Sequence, residues 1–431
     1  MASIIESEAW QDATKYQILD EDIERAKLLL GVDVSNGHRE YIQTASYDHI
    51  RNFAIGAGND NPLHCDPGYA GKTRWGDVIA PGMMVGTVNK PMLGTPLPAE
   101  LKAKTKSLFK GVHVFVSGSD WTWYRPIYPN DTIYSFSGQE RLEVKTSEFS
   151  GRSIIRVNRH VKLNQRAEVV AVYRVLMVLT ERSTARSKGK YANIKPAVYS
   201  DEDIARIDEI YAAEQVRGNL PRYFEDVQVG DKMGTMAKGP LTVTDVMCFH
   251  SGGYGFHPYA PTVGRLAHNN RKRIPAFYVK NEQGVPDVAQ RLHWDPAWAQ
   301  AIGNPMAYDY GVMRENYLYH FLTDWCGDDG IVVQQHDEVR KFNYIGDTQI
   351  ITGEVAGKRE VGGRLLVDVV MRMTNQREEE TVRATATIAL PGRDGRLATF
   401  EPTPDDLEQK SLRMMAQHWH VSGDAASGTS R

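Results

Sequence analysis

The chain repeats itself, and this repeat limits the folds that it can adopt. The segment YRPIYPNDTIYSFSG near residue 120 resembles VRKFNYIGDTQIITGEV near residue 340. In both segments, alternating apolar residues surround a turn that contains Asp131 or Asp347, a pattern typical of two strands joined by a tight turn. Farther along, two more strands surround an Asn-Gln turn, in which Asn164 matches Asn375. We therefore expect two copies of one supersecondary unit.

Two landmarks upstream of the strands recur at a single spacing. HCDPGYA begins at His64 and matches HWDPAWA, which begins at His293, while Gly82 matches Gly311. Both pairs are 229 positions apart, so chance similarity is a poor explanation. The duplication therefore includes the segments before the strands as well as the strands themselves.

Each copy also contains a segment of helical character. These segments run from Pro81 to about Leu93 and from Tyr308 to about Trp325, and the apolar residues of the second are spaced to cover one helix face. A helix and four long antiparallel strands bury their apolar faces against each other, which gives an α+β layer. We expect two tandem units, each with a long central helix wrapped by an antiparallel β-sheet.

Changes in composition suggest where these units begin and end. We expect a first domain over residues 1–199, a linker helix over 200–222 and a second domain over 223–416. The second copy has about 32 extra residues between its landmarks, which predicts a loop insertion at about 257–290. Residues 417–431 are rich in small polar side chains, so we expect a disordered tail there.

Composition also excludes several classes of protein. The 431 residues include 51 lysines and arginines against 54 aspartates and glutamates, so no basic field would attract nucleic acid or an anionic membrane. The three cysteines are far apart and form no CxxC pair, which argues against a disulfide framework or a thiolate metal site. The sequence has neither the pattern of a signal peptide nor an apolar run of membrane-helix length. We expect a cytoplasmic protein with no metal and no membrane partner.

With these residues in view, the chain resembles the MaoC-like acyl dehydratases, the (R)-specific enoyl-CoA hydratase branch of the hotdog fold. The resemblance is carried by FAIGAGNDNPLHCDPGYA, residues 53–70, and by the two tandem Asp-Thr strand motifs. It implies a double hotdog, in which two fused halves replace two subunits. It also implies an acyl-CoA or acyl-carrier thioester as substrate and no cofactor. We expect a homodimer.

The resemblance also implies a set of catalytic positions. In that family an aspartate and, five positions later, a histidine lie on a loop beside the thioester. Here the histidine position falls on His64, but the aspartate position falls on Asn59, which leaves the neighbouring Asp60 as a candidate replacement. In the second half the histidine position falls on His293, and no carboxylate occupies the aspartate position near Gly253.

Adding water to an α,β-unsaturated thioester requires a polarised carbonyl, an activated water and a proton source. Backbone N–H groups at the start of a central helix can stabilise the enolate oxygen, because they lack intrahelical partners. Glycine at that point allows the thioester to approach closely. The candidate substrate contacts are Gly82, Gly311, Tyr308, Tyr310, and the two arginines Arg271 and Arg273, which could bind the phosphates of coenzyme A.

Simpler structural roles compete for several of these residues. Asp66 and Asp295 are expected to cap short helices, and Asn61 is expected to shape the turn before Pro62. Asp309 is expected to lie near a helix N-terminus and to pair with Arg314. The basic loop and both histidines could likewise be purely structural.

Three functions remain open on the sequence alone. The first is a hydratase or dehydratase that interconverts a 2-enoyl-CoA and a 3-hydroxyacyl-CoA. The second is a hotdog-fold acyl-CoA thioesterase, since that architecture serves both reactions. The third is a non-catalytic subunit that only binds an acyl thioester.

Overall fold

The computed structural model describes residues 17–110, 112–147, 151–181, 194–255, 262–302 and 304–423. The first half contains α1 (Asp20–Lys27), β1 (Asp33–Ser35), α2 (Tyr47–Gly56), α3 (Pro62–Cys65), α4 (Pro67–Ala70), a 3₁₀ helix (Gly82–Thr87), α5 (Ala99–Lys104), β2 (His113–Trp123), β3 (Tyr134–Ser147), β4 (Gly151–Leu163) and β5 (Val169–Thr180).

The second half begins after α6 (Asp201–Ala213), which lies within the predicted linker and starts with a capping box at Ser200. Its elements are a 3₁₀ turn (Phe224–Asp226), β6 (Lys232–Lys238), α7 (Val243–Phe249) with a π-helical extension (His250–Tyr254), α8 (Gly264–Arg273), a 3₁₀ turn (Pro275–Phe277), β7 (Tyr278–Lys280), β8 (Pro286–Val288), a 3₁₀ helix (Ala289–His293), α9 (Pro296–Ala301), α10 (Gly311–Cys326), β9 (Ile331–Val339), β10 (Gln349–Val361), β11 (Arg364–Asn375), β12 (Glu380–Ala389) and α11 (Asp405–Ser422).

One ten-stranded sheet runs through both halves in the order β1–β3–β4–β5–β2–β9–β12–β11–β10–β6. The halves join where β2 and β9 pair in antiparallel fashion, from Gly118 opposite Glu338 to Thr122 opposite Gln334. A Cβ atom on Gly118 would lie 2.1 Å from the Asp337 carbonyl oxygen, so only glycine allows this approach. The α+β class and the double-hotdog arrangement are confirmed.

The turns that we expected to correspond make the same contacts. Asp131 and Asp347 each accept a hydrogen bond from the amide three positions earlier, at 2.9 and 3.0 Å. Asn164 and Asn375 each accept hydrogen bonds from the amides two and four positions later. The internal repeat is therefore present in three dimensions as well as in the sequence.

The central segments of the two halves differ, and the prediction of a long helix in each half is wrong for the first. α10 has 16 residues, whereas the equivalent segment of the first half forms only the six-residue 3₁₀ helix Gly82–Thr87. Pro91 explains the difference, since it lacks an N–H and its ring clashes with the preceding helical turn. The β-branched Thr87 and Val88 weaken the helix further.

Strand residues alternate between two faces of the sheet, which we call inner and outer. The inner face packs against α10. Trp121 Nε1 on this face donates a hydrogen bond to Glu315 Oε2 of α10 at 3.0 Å. The outer face of the first half is apolar, with Phe136, Val161 and Val172 in register across β3, β4 and β5. An uncovered apolar face costs about 25 cal/mol per Å², so it requires a cover.

The C-terminal helix α11 supplies that cover. Its Met414 and Met415 belong to the same buried cluster as Phe136, Val161 and Val172. The predicted disordered tail is therefore wrong for residues 417–422, which end α11, while residues 424–431 lie outside the described residues. The predicted loop insertion at 257–290 is also corrected, because it contains α8 and a β7–β8 hairpin; residues 256–261 are outside the description.

None of the helices in the described part of the chain is long and apolar enough to cross a membrane.

Candidate active site

The signature loop of the first half is shaped by its own side chains. Asn59 Oδ1 accepts from the Asn61 amide at 3.0 Å, and Asn61 Oδ1 accepts from the Leu63 amide at 3.0 Å, so Asn61 caps α3. Asn59 is buried, whereas Asp60 is exposed. The turn-shaping role expected of Asn61 is confirmed, and Asp60 faces solvent instead of filling the aspartate position.

His64 is held in one orientation by a backbone carbonyl. Its Nδ1 lies 2.7 Å from the Ile79 oxygen, and since a carbonyl only accepts, we assign the proton to Nδ1. Nε2 is then the basic nitrogen, and it is buried with no hydrogen-bond partner among the residues that the structure describes. Burial lowers the pKa of His64 to about 4, so the imidazole is neutral at physiological pH.

His293 is held in the same way. Its Nδ1 lies 2.8 Å from the Tyr308 oxygen, which is again the carbonyl 15 positions later. Burial lowers the pKa of His293 to about 4 as well, although this side chain keeps some contact with solvent. Among the hydrogen bonds of the described residues, no carboxylate contacts either histidine. The two halves thus share a neutral imidazole with a defined basic nitrogen.

The glycines that follow the histidines have different surroundings. At Gly82, a Cβ atom would lie 2.7 Å from Tyr319 Oη and 2.8 Å from Trp123 Nε1, so side chains already fill this position. At Gly311, apart from its chain neighbours and the backbone of its own helix, no heavy atom of the described residues lies within 4 Å of the same point. Gly311 begins the 16-residue α10, and the preceding Tyr310 supplies no side-chain cap. Met313 N–H donates to the Tyr310 carbonyl at 2.9 Å, while the N–H groups of Gly311 and Val312 have no backbone acceptor among the described residues and are available to a ligand.

Tyr310 links the start of α10 to His293. The two rings lie 3.7 Å apart between centroids. His250 Nδ1 lies 2.6 Å from the Gly255 oxygen and so carries the proton, which leaves His250 Nε2 to accept from the Tyr310 hydroxyl at 3.1 Å. Gln290 Nε2 donates to the same hydroxyl at 2.8 Å. Burial raises the pKa of Tyr310, so its hydroxyl stays protonated.

Comparison with known proteins agrees with this geometry. Residues 35–173 match the family model of the FAS1-like dehydratase domain region. A solved structure described as a MaoC-like dehydratase has a TM-score of 0.56 at 15% identity, covering 85% of this chain and 99% of its own. A MaoC domain dehydratase of Chloroflexus aurantiacus J-10-fl has a TM-score of 0.51 at 12% identity, covering 84% and 96%. The chain has the MaoC-like double-hotdog fold. No curated protein is significantly similar to it in sequence.

In this double hotdog, α10 closes the first histidine site. Lys238 Nζ lies 2.8 Å from His320 Nδ1 and 2.9 Å from the Gly58 oxygen, and His320 Nε2 lies 3.1 Å from Asp324 Oδ2. His320 and Asp324 are close enough to His64 to influence its pKa. His64 itself is only 3% exposed. The first site is therefore a sealed polar cluster at the contact between the halves.

The double hotdog brings together some of the predicted substrate contacts and not others. Tyr308 and Tyr310 both pack against His293, with ring centroids 5.1 and 3.7 Å away. Arg271 and Arg273 lie in the last turn of α8, where cations favour the helix dipole, and Arg273 contacts Asn270 at 3.3 Å. Among the described contacts, neither arginine reaches His293.

Several structural roles are confirmed. Asp66 caps α4 through the amides of Gly68 and Tyr69, and Asp295 caps α9 through Trp298. Asp309 and Arg314 form a buried ion pair with Nε and Oδ2 3.0 Å apart.

The contacts that Gln290 and His250 make with Tyr310 could not be predicted from the sequence. Each of these contacts joins residues that are 20 or 60 positions apart in the sequence. Local residue spacing does not predict contacts at such separations. In the described part of the chain, no cluster of three or more His, Cys, Asp or Glu side chains is placed to hold a metal ion.

Proposed function

We propose that the protein is an acyl-thioester hydratase or dehydratase that interconverts 2-enoyl and 3-hydroxyacyl thioesters, with its reacting centre at His293. One observation carries the proposal: a neutral imidazole with a defined basic nitrogen lies beside the open N-terminus of α10. The fold of the MaoC-like dehydratases and the dehydratase-region match of residues 35–173 support the reaction class.

The start of α10 would bind the thioester carbonyl. The N–H groups at Gly311 and Val312 point out of the first helical turn, and the helix dipole adds positive potential there. These donors would stabilise the enolate oxygen that forms as water adds to Cβ. Because Gly311 has no side chain, the carbonyl can approach the backbone closely.

His293 would activate the water. With Nδ1–H donated to the Tyr308 carbonyl, Nε2 can accept a proton from the water as its oxygen attacks Cβ. Tyr310 would keep the imidazole in place, since its own ring is anchored through its hydroxyl to His250 and Gln290. An anchored ring on one side limits the rotation of the imidazole and so keeps the base aligned.

The acyl tail would lie along the inner face of the first half. The first half has no long helix there among its described residues. On this face the Tyr173 ring stacks between the Trp121 and His160 rings, with its centroid 4.5 Å from each of theirs. Tyr173 and His160 are half-buried, and burial raises the pKa of Tyr173 and lowers that of His160. Arg271 and Arg273 remain our candidates for the phosphates of a coenzyme A carrier, and we expect a homodimer.

The test is the product formed from a panel of 2-enoyl-CoA thioesters of increasing chain length. Hydration predicts loss of the enoyl absorbance, a 3-hydroxyacyl-CoA detected by mass spectrometry and no free thiol. Release of free thiol would instead establish a thioesterase. Saturable binding without turnover for every thioester would establish a binding subunit.

A further inference from the structure

The centre of the inner face holds two buried carboxyl groups, Glu315 on α10 and Asp337 on β9. They are 7% and 1% exposed. Ser119 Oγ donates to Asp337 Oδ1 at 2.7 Å, while Trp121 Nε1 lies 3.0 Å from Glu315 Oε2 and 2.9 Å from Ser119 Oγ. One hydroxyl and one indole thus hold the two carboxyl groups side by side.

Among the described residues, no lysine, arginine or histidine forms an ion pair with Glu315 or Asp337. The nearest cation on α10 is Arg314, which already forms an ion pair with Asp309 and donates to the Lys341 carbonyl at 2.8 Å. Burial and the neighbouring Asp337 raise the pKa of Glu315, and burial raises the pKa of Asp337. Two buried carboxyl groups held side by side do not both ionise readily, so the pair favours one shared proton, which we assign to Glu315.

Glu315 is placed next to the proposed thioester site. It follows Gly311 by one helical turn, so both lie on the same face of α10. Side chains on a helix lean toward its N-terminus, which directs the Glu315 carboxyl over the turn that begins at Gly311. The space beside Gly311 is open. A protonated carboxyl thus adjoins the space that the thioester would occupy.

The same region connects Glu315 with the surroundings of His293. Tyr173 stacks on Trp121, and its pKa is influenced by both Glu315 and Tyr254. The Tyr254 ring lies 4.8 Å from the Tyr310 ring, which in turn packs on His293. Ring contacts and one electrostatic interaction thus connect the surroundings of Glu315 with those of His293.

A group besides His293 would supply the proton to Cα, and among the described residues no carboxylate hydrogen-bonds to either signature histidine. We propose that Glu315 is the acid/base partner of His293, an inference that rests on the proposed function. His293 Nε2 accepts a proton from water as the water oxygen bonds to Cβ. The π electrons of the double bond move toward Cα, which takes its proton from the Glu315 carboxyl. Solvent then carries the proton from His293 back to Glu315, and dehydration runs the same steps in reverse.

The other groups that face Glu315 influence the pKa of its carboxyl group. Asp337 on β9, Tyr173 on β5 and Arg314 on α10 are the titratable or charged ones, beside Ser119 and Trp121 on β2. The Asp337 charge keeps the proton on Glu315, so Asp337 is a positioning residue. Removing that charge should lower the pKa of Glu315.

The test is the pH dependence of hydration in full-length variants. Glu315→Gln preserves shape and should lower kcat by about 100-fold or more, with KM within about threefold, because an amide cannot donate the proton. Asp337→Asn should move the high-pH loss of kcat to lower pH. Asp324→Asn is the matched control, a buried carboxyl on the same helix beside His64, and should leave both kcat and the pH limb unchanged.

The outcomes separate this inference from the proposed function. If the wild-type protein is active and Glu315→Gln is equally active, the role of Glu315 is overturned but the proposed function stands. The same holds if kcat of Asp337→Asn falls at the same high pH as that of the wild type. A wild-type protein that hydrates no thioester overturns the proposed function and this inference with it. If Glu315→Gln does not fold, a fall of kcat at lower pH in Asp337→Asn than in the wild type supports the role of Glu315 by itself.

Discussion

The two signature loops hold their histidines alike but differ in what lies in front of them. His64 and His293 each donate Nδ1–H to the carbonyl 15 positions later. Beyond that shared contact, Tyr319 and Trp123 occupy the space at Gly82, whereas the space at Gly311 is open. A duplicated motif can therefore keep the contact that orients a residue while only one copy keeps access for a ligand.

The difference follows from the central helices. In the second half, α10 begins at Gly311 with a free N-terminus directly after Tyr310. In the first half, the helix is reduced to Gly82–Thr87, and α10 passes in front of the histidine, bringing Tyr319, His320 and Asp324. One long helix thus opens the second site and seals the first.

The largest effect should come from the histidine pair. His293→Gln should lower kcat by about 100- to 10,000-fold, because the glutamine side chain cannot take a proton from water. His64→Gln should leave kcat within about threefold. Steady-state hydration of one enoyl-CoA by both variants makes the comparison, and the opposite ranking would move the reacting centre to the first half.

His64 should make the free energy of unfolding depend on pH. Burial lowers the pKa of His64 from 6.5 to about 4, so between these values the unfolded chain binds a proton that the folded chain does not. Stability contributed by the neutral imidazole is complete above about pH 6.5 and is lost as the pH falls to about 4. The loss is on the order of 3 kcal/mol.

His64→Gln should therefore make the free energy of unfolding less sensitive to acid by that amount. Denaturant unfolding at pH 7 and near pH 4.5 measures it. The exposed His38→Gln serves as control and should show the acid sensitivity of the wild type. An unchanged acid sensitivity in His64→Gln would mean that His64 is solvated in the native protein.

The glycine pair should separate stability from activity. Gly311→Val should fold normally, because the space at its Cβ is open, but should lower kcat/KM about tenfold or more by blocking the helix N-terminus. Gly82→Val should destabilise the protein by about 1–3 kcal/mol through overpacking against Trp123 and Tyr319, with little change in kcat. Thermal unfolding and steady-state kinetics on both variants decide it, and a reversed assignment of the two effects would contradict the comparison.

The smallest effect should come from restoring the signature aspartate. Asn59→Asp keeps an oxygen for the Asn61 amide but adds a buried charge to a sealed site. We expect hydration within about threefold of the wild type. A gain of tenfold or more would show that the first site is open to substrate in solution.

Local chemistry was predictable from the sequence. Asp66, Asp295 and Asn61 were expected as caps or turn residues, and each makes that contact within three positions of itself. Asp309 and Arg314 pair as their spacing suggested. Such contacts depend on backbone geometry over one or two turns, which residue type and spacing largely decide.

The contents of the two sites were not predictable in the same way. Tyr319 fills the space at Gly82 from the other half of the chain, and Glu315 meets Asp337 across two different elements. The α11 helix covers a sheet face formed more than 200 residues earlier. No periodicity connects such partners, because their separation along the chain says nothing about how packed elements meet.

The sequence by itself determined the duplication, the strand and turn pattern and the two candidate histidines, because these are properties of residue type and local spacing. Only the tertiary structure decided which histidine keeps contact with solvent and which two carboxyl groups are held together by Ser119 and Trp121. These features depend on side-chain volume and burial where distant segments pack, and close packing fills the space at Gly82 while the space at Gly311 is open.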